Sequence, residues 1–474
     1  MKRYEQLADE IAALIRGGAL RAGERLPSVR QTSVSRQVSP STVFEAYYLL
    51  EARGLVRARP RSGYYVVPAR PAAAPPEPQA SKPPARSVDV AISELVFQVL
   101  GSVRDREVVP LGSAFPSPAL FPLPRLARDL AAAMRELDPW RTVESLGPGH
   151  ETLRRQLGLR YAADGMALDA QEIVVTNGAM EALNLSLQAV TRPGDLVAVE
   201  SPTFYAALQA LERLQLKAVE IATHPRSGVD LDALAAALDR HPIKACWFMP
   251  NFQNPLGSLM PEANKQALVA LLAARGIPLI EDDVYGELYF DSRRPPPAKA
   301  WDRHGLVMHC SSFSKCLAPG YRIGWVAGGR FAQRIERMKL MTTLAAPIPS
   351  QEALSRYLQR GGYERHLRQL RQSLASQRDI ALRLVAKHFP AGTRVTQPEG
   401  GYFLWLELPR GVDALQLHRL ALSHRISLAP GHLFSAEHAR FGHCVRINYG
   451  HPEDGRFEEA MKVVGRLAGN LGAA

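Results

Sequence analysis

Twenty residues decide how this chain is divided. Between Pro68 and Ser87 runs PARPAAAPPEPQASKPPARS, with seven prolines, no aromatic residue and no hydrophobic periodicity. Proline fixes φ and removes a backbone donor, so such a segment builds no core and is expected as an extended spacer. In polyproline II form it would span roughly 60 Å at about 3.1 Å per residue. It separates residues 1–67 from 88–474. Each side must therefore bury a core of its own.

The two sides differ in charge. Residues 1–70 hold twelve Lys and Arg against six Asp and Glu, a net +6, which is half of the formal +12 of the whole chain. Basic charge concentrated in a small domain points to a polyanionic partner. No stretch approaches the roughly 18 uncharged apolar residues of a membrane span, and the start MKRYEQLADEIAALIRGG carries acids and no small-residue cleavage site. A cytoplasmic protein is expected. Cys246, Cys310, Cys316 and Cys444 show neither metal nor disulfide spacing and read as reduced thiols, with Cys316 a bystander of its neighbour Lys315.

In the small domain, Leu7, Ile11, Leu14 and Ile15 recur at helical spacing up to Gly17-Gly18. Ser28 can cap a second helix to about Val38, and Ser39 a third over Ser41 to Arg53, closed by Gly54. Leu55 to Arg59 and Tyr64 to Val67 predict two strands around the turn Pro60-Arg61-Ser62-Gly63. Two short helices joined tightly, followed by a hairpin, form a winged helix-turn-helix whose last helix fits a DNA major groove. Ser39, Ser41 and Thr42 are short donors at the start of that helix, while Arg30 and the wing-tip Arg61 supply charge. Taken singly, Ser39 serves equally as a cap and the arginines as solvated surface.

The large domain alternates β-branched runs with longer helical stretches. Glu172–Thr176, Leu196–Glu200, Ala245–Met249, Leu279–Asp282 and Val307–Cys310 predict strands of a largely parallel α/β sheet, with the chemistry in the loops after them. Lys315 follows hydroxyl residues in Ser311-Ser312-Phe313-Ser314-Lys315, with Arg322 seven positions on. A lysine amine can form a Schiff base with an aldehyde cofactor, and hydroxyls and an arginine suit a phosphate; a lysine beside serines also suits plain surface. Asp282 ends an apolar strand with Tyr285 three residues later, an acid placed to keep a pyridine nitrogen protonated or simply to cap a turn. Asn254 lies on the Pro-Gly loop of Asn-Phe-Gln-Asn-Pro-Leu-Gly, Gly178 turns a strand into a helix, and Phe204 offers a ring at a strand end.

Two resemblances follow from these motifs. The run GERLPSVRQ, VSPSTVFEAYYLLEARGLV and RSGYYV resembles the winged helix-turn-helix of the GntR family. It implies operator contacts from Arg30, from the Ser39–Thr42 segment with Ser41, and from the wing with Arg61 and Gly63. Pro40 stands where that family commonly has arginine, so the arginine's base contact is not expected here. Residues 105–470 resemble the fold-type I, pyridoxal-phosphate (PLP) enzymes of the class I aminotransferase family. That resemblance makes Lys315 the Schiff-base lysine and Asp282 the partner of the pyridine nitrogen. It places Asn254 and Tyr285 at the cofactor's 3-oxygen, Phe204 on its ring, and Gly178, Ala179, Met180, Ser312, Ser314 and Arg322 around its phosphate. Arg446, in Val445-Arg446-Ile447-Asn448-Tyr449, matches the arginine that grips a substrate carboxylate. The tyrosine that the family usually sends to the partner subunit's phosphate is missing from TVESLGP, residues 142–148.

The combination is similar to the MocR subfamily of regulators, head-to-tail homodimers that bind operator DNA. It implies a PLP-dependent regulator that senses PLP, or an amine or amino-acid effector, rather than a working enzyme. The alternative is an active aminotransferase with an accessory DNA-binding domain.

Overall fold

The computed structural model describes residues 3–16, 20, 23–59, 62–67, 75–100, 105–144, 147–166, 168–451 and 455–473. It divides into two compact units, Met1–Ala74 and Pro75–Ala474.

In the first unit, helices α1 (Arg3–Arg16), α2 (Val29–Arg36) and α3 (Pro40–Ala52) precede a hairpin of β1 (Val56–Arg59) and β2 (Gly63–Val66). Leu7, Ala8, Ile11 and Ala12 of α1 share a buried core with Val43, Ala46, Tyr47 and Leu50 of α3. Ser28 and Gln31 form a reciprocal cap at the start of α2, with Gln31 N donating to Ser28 Oγ at 3.2 Å and Ser28 N to Gln31 Oε1 at 2.9 Å. Gln37, at φ 51°, ends α2, and Ser39 Oγ then accepts Thr42 N at 3.2 Å to start α3. Tyr47 OH donates to Pro27 O at 2.8 Å and lies 2.6 Å from Thr32 Oγ1, tying α3 to the first turn of α2. Both strands of the wing begin within a residue of the expected positions. Gly63 has φ +105°, and a Cβ there would stand 3.2 Å from Arg25 Nε. A side chain is doubly disfavoured at this position. Arg61 lies outside the described residues.

The second unit is built on a nine-stranded sheet. Its strands are β3 (Ser87–Asp89), β4 (Ile173–Thr176), β5 (Leu196–Ser201), β6 (Lys217–His224), β7 (Gly228–Val229), β8 (Ile243–Phe248), β9 (Leu279–Asp282), β10 (Val307–Ser312) and β11 (Gly324–Ala327). Their order is β3-β6-β5-β8-β9-β10-β11-β4, with β7 paired to β6. The run β6-β5-β8-β9-β10 is parallel, while β10–β11 and β11–β4 are antiparallel. Two reversals cancel, so β4 points the same way as β10. The five expected strands are present with ends shifted by up to two residues. β6 and β11 went unforeseen because β6 carries Glu220 in its interior and β11 begins with glycine. Glu220 is buried as an acceptor for Ser201 Oγ and Ser435 Oγ, each at 2.7 Å. A second sheet, ordered β12 (Arg394–Val395), β13 (Phe403–Glu407), β15 (Cys444–Asn448), β14 (Ala429–Pro430), is antiparallel throughout. No described helix is long and apolar enough to cross a membrane.

The proline-rich segment departs from the expected spacer in its second half. From Pro75 onward it belongs to the large unit, and it lies across both sheets. Val395 N donates to Pro76 O at 3.0 Å and Gln397 N to Glu77 Oε1 at 3.1 Å, while Glu77 pairs with Arg226. Farther on, Ser81 N donates to Thr223 O at 3.2 Å and Thr223 N to Ser81 Oγ at 3.0 Å. An extended segment makes no backbone hydrogen bonds of its own, so its carbonyls and the N–H groups of its non-proline residues are left to pair with neighbouring strand edges.

Two separate cores predict separable melting. Leu50→Ala in the small core is expected to cost about 2–5 kcal/mol. Differential scanning calorimetry should then show one transition moving down with the other unchanged, whereas an equal shift of both would contradict the division.

Candidate functional site

Because β4, β5, β8, β9 and β10 run in one direction, the loops after them open at one end of the sheet. β11 starts at that end, with Gly324 opposite both Ser312 and Thr176, which brings Arg322 there too. Residues from six distant stretches thereby share one site. This is where an open α/β sheet gathers its ligands.

Lys315 Nζ donates to Ala114 O at 2.8 Å and stands 3.7 Å from the ring centroid of Phe115. Burial, with the nearby charge of Arg446, pulls its ammonium down to about 7, against the pull of Asp282. Asp282 is fully buried; Val284 N and the indole of Trp247 are the donors near its carboxylate, and neither makes a well-formed hydrogen bond to it. Burial raises it to about 7, and the neighbouring Asp283 adds to the rise. A buried carboxylate without a well-formed hydrogen bond is costly unless a cation completes it. A protonated ring nitrogen would supply that cation.

Arg446 lies on β15 and is fully buried. Its Nη2 donates to Gly112 O at 2.7 Å and Ser113 O at 3.1 Å, and Nη1 to Asn254 Oδ1 at 3.0 Å. Nε makes no well-formed hydrogen bond among the described residues; the phenols of Tyr205, Tyr285 and Tyr402, and no carboxylate, are the groups that act on this guanidinium. The rings of Phe403 and Phe434 lie 4.3 and 5.3 Å from its central carbon. Asn254 Nδ2 in turn faces Tyr285 OH at 3.5 Å, and burial pushes the Tyr285 phenol upward. Amide and phenol therefore stand together as donors for one oxygen.

Gly178 opens the helix Ala179–Val190 at φ +82°, where a Cβ would sit 2.4 Å from Arg322 Nη2. Only glycine lets the guanidinium approach the helix start. Arg322 Nη2 donates to Asn177 O at 3.2 Å and Nη1 to Ser314 Oγ at 3.4 Å, while Ser314 N donates to Ser312 Oγ at 3.3 Å. The N-terminal amides of Ala179 and Met180, the two serines and the arginine form a cradle suited to a phosphate. Phe204 is half-buried at the start of the helix Tyr205–Arg213, its ring 4.9 Å from that of Tyr205. The residues present thus fit a pyridoxal-type cofactor at its ring nitrogen, its 3-oxygen and its phosphate.

Sequence reasoning missed the segment Gly112–Phe115, whose carbonyls and ring meet both Lys315 and Arg446. Tyr402 OH also donates to Ala114 O, at 3.0 Å. The segment carries loop composition and no chemical motif, so nothing local marked it. Cys316 is buried and close to Tyr363 OH at 3.2 Å, its thiol pushed up to about 12. A buried thiol held in that form is a poor nucleophile.

In the small unit, Ser39 Oγ lies 2.8 Å from both Ser41 Oγ and Thr42 Oγ1. The three hydroxyls engage one another at the cap. Arg30 is exposed on α2, without an ion pair among the described residues.

The model of aminotransferase classes I and II matches residues 126–464, and that of the gntR family of bacterial regulatory proteins matches residues 3–66. The chain belongs to the MocR-type regulators. It is 48% identical to the uncharacterized HTH-type transcriptional regulator YdcR of Escherichia coli (strain K12), over 98% of this chain and 99% of that one. YjiR of the same organism, also an uncharacterized HTH-type transcriptional regulator, is 38% identical over 98% of each chain. Among solved structures, the kynurenine aminotransferase of Pyrococcus horikoshii in complex with PMP is similar with a TM-score of 0.74 and 28% identity, covering 80% of this chain and 95% of that one. This MocR-type chain therefore has the fold-type I aminotransferase fold behind a GntR DNA-binding domain.

The lowered Lys315 has a direct consequence. The amine is nucleophilic only when neutral, so its reactivity toward an aldehyde should rise as pH climbs through about 7 and level off above 8. Stopped-flow absorbance with added pyridoxal phosphate reads this, and a rate still climbing at pH 10 would contradict it.

Proposed function

We propose that this MocR-type regulator binds PLP at Lys315, senses an amine or amino-acid effector there, and adjusts its grip on operator DNA as a cytoplasmic, head-to-tail homodimer. The observation that carries the reading is Arg446, a buried guanidinium without a carboxylate partner among the described residues, held on Asn254 of the cofactor loop. Such an arginine is suited to a bidentate pair with a ligand carboxylate. The cofactor, when bound, supplies a carbonyl carbon open to exchange between two amines. Lys315 provides one of them, neutral near physiological pH. Asp282 holds a proton on the ring nitrogen, Asn254 and Tyr285 orient the 3-oxygen, Phe204 stacks on the ring, and Gly178, Ala179, Met180, Ser312, Ser314 and Arg322 anchor the phosphate.

An effector shifts DNA binding only if its affinity differs between two arrangements of the protein. Arg446 offers that difference, since a carboxylate would compete with Gly112 and Ser113 for its Nη2 donors. In the DNA-binding domain, Arg30, Arg61 and the wing at Gly63 engage the backbone, and Ser39, Ser41 and Thr42 lead α3 into the groove.

Two measurements test the reading. The purified chain should carry a visible cofactor absorption that Lys315→Ala abolishes, and amino acids should shift that absorption without sustained product formation. Arg446→Gln should weaken the shift about 10- to 100-fold for amino acids, as loss of charged hydrogen bonds implies, and leave simple amines nearly unaffected. Steady multiple turnover of an amino acid with a 2-oxo acid would instead establish an active aminotransferase. Binding to the selected operator should also fall steeply with salt; salt-independent binding would defeat the DNA assignment.

A further inference from the structure

The first two turns of α3 present an unusual surface for a DNA-reading helix. Val43, Ala46, Tyr47 and Leu50 face the core, which leaves Ser41 and Glu45 on the far side and Phe44 on its flank, while Pro40 is exposed at the tip of the helix. Phe44 is 58% exposed and takes no part in the small unit's core. A phenylalanine left this exposed gains nothing from folding and keeps its apolar area available to a partner. The hydroxyls of Ser39, Ser41 and Thr42 are already engaged with one another at the helix cap. Besides the carboxylate of Glu45, which can accept only from a cytosine or adenine amino group, what remains for base contact at the tip of the helix is apolar, Pro40 and Phe44.

In the major groove only thymine presents an apolar group, its 5-methyl. We propose that Phe44 is a specificity-determining residue that packs on a thymine methyl in each half-site, in place of the polar readout that an arginine would give. The inference rests on the DNA-reading assignment of the small unit. Charge complementarity favours duplex DNA as the occupant of this face. Arg30 on α2 and Arg57 on β1 are exposed, and neither forms an ion pair among the described residues. They can supply the phosphate contacts that an apolar base contact, giving little affinity by itself, requires.

The experiment presents the full chain with a random-sequence duplex pool, then resynthesises the retained duplexes with single thymines replaced by deoxyuridine, which removes only the methyl. Wild type should lose about four-fold in affinity at one or more thymines per half-site, the worth of one buried methyl. Phe44→Ala should bind thymine and deoxyuridine duplexes equally, while Phe44→Leu keeps the preference. Helical circular dichroism should be the same for all three proteins, because the side chain is exposed. Sequence-selective, salt-sensitive binding that ignores every methyl would overturn the thymine contact and leave the DNA assignment standing. Failure to retain any duplex would overturn both.

Discussion

Three ionisable groups stand at one end of the central sheet with too few partners for their charges. Lys315 is held by a carbonyl and a ring, Asp282 by no well-formed hydrogen bond, and Arg446 by carbonyls and an amide. Each would be cheaper in water, and removing any of them from it costs several kcal/mol without compensation. Most of the second unit's architecture serves to keep them there. Five strands of common direction deliver their loops to the same end, and β15 brings Arg446 in from the second sheet. The shifts of Lys315 and Asp282 toward neutrality are the direct mark of that confinement.

The same constraint explains why a regulator keeps so much of an enzyme's site. Holding a cofactor and recognising a carboxylate need the lysine, the buried acid, the phosphate cradle and the arginine. Sustained turnover needs more, including rapid release and a complete phosphate site. On the proposed reading, the tyrosine missing from residues 142–148 is one element that sensing would not need. In the DNA-binding domain the balance is reversed. Its core is small, and the helix caps and Tyr47, which ties α3 to Pro27 and Thr32, add to what that core supplies.

The proline-rich segment links these two economies. Its second half is bound to both sheets of the large unit, with Glu77 pairing at once with Gln397 and Arg226. Residues 397–401 also pack on the cofactor loop, where a Cβ on Gly400 would stand 2.4 Å from Phe252. The chain leading to the reader is therefore anchored to elements that border the site.

The sequence by itself determined the division into two units, the helix-turn-helix with its Ser28 and Ser39 caps, and the order of the cofactor motifs along the chain. These depend on local chemistry: proline's fixed φ, side-chain capping, apolar periodicity and glycine at a strand-to-helix turn. Only the tertiary structure decided that β4 runs with β10, that Asn254 supports Arg446, that Gly112–Phe115 covers both cations, and that Pro75–Arg86 is docked. Each of these pairs groups far apart in sequence. Strand direction, strand-edge pairing and burial of charge are settled by partners that no local pattern specifies.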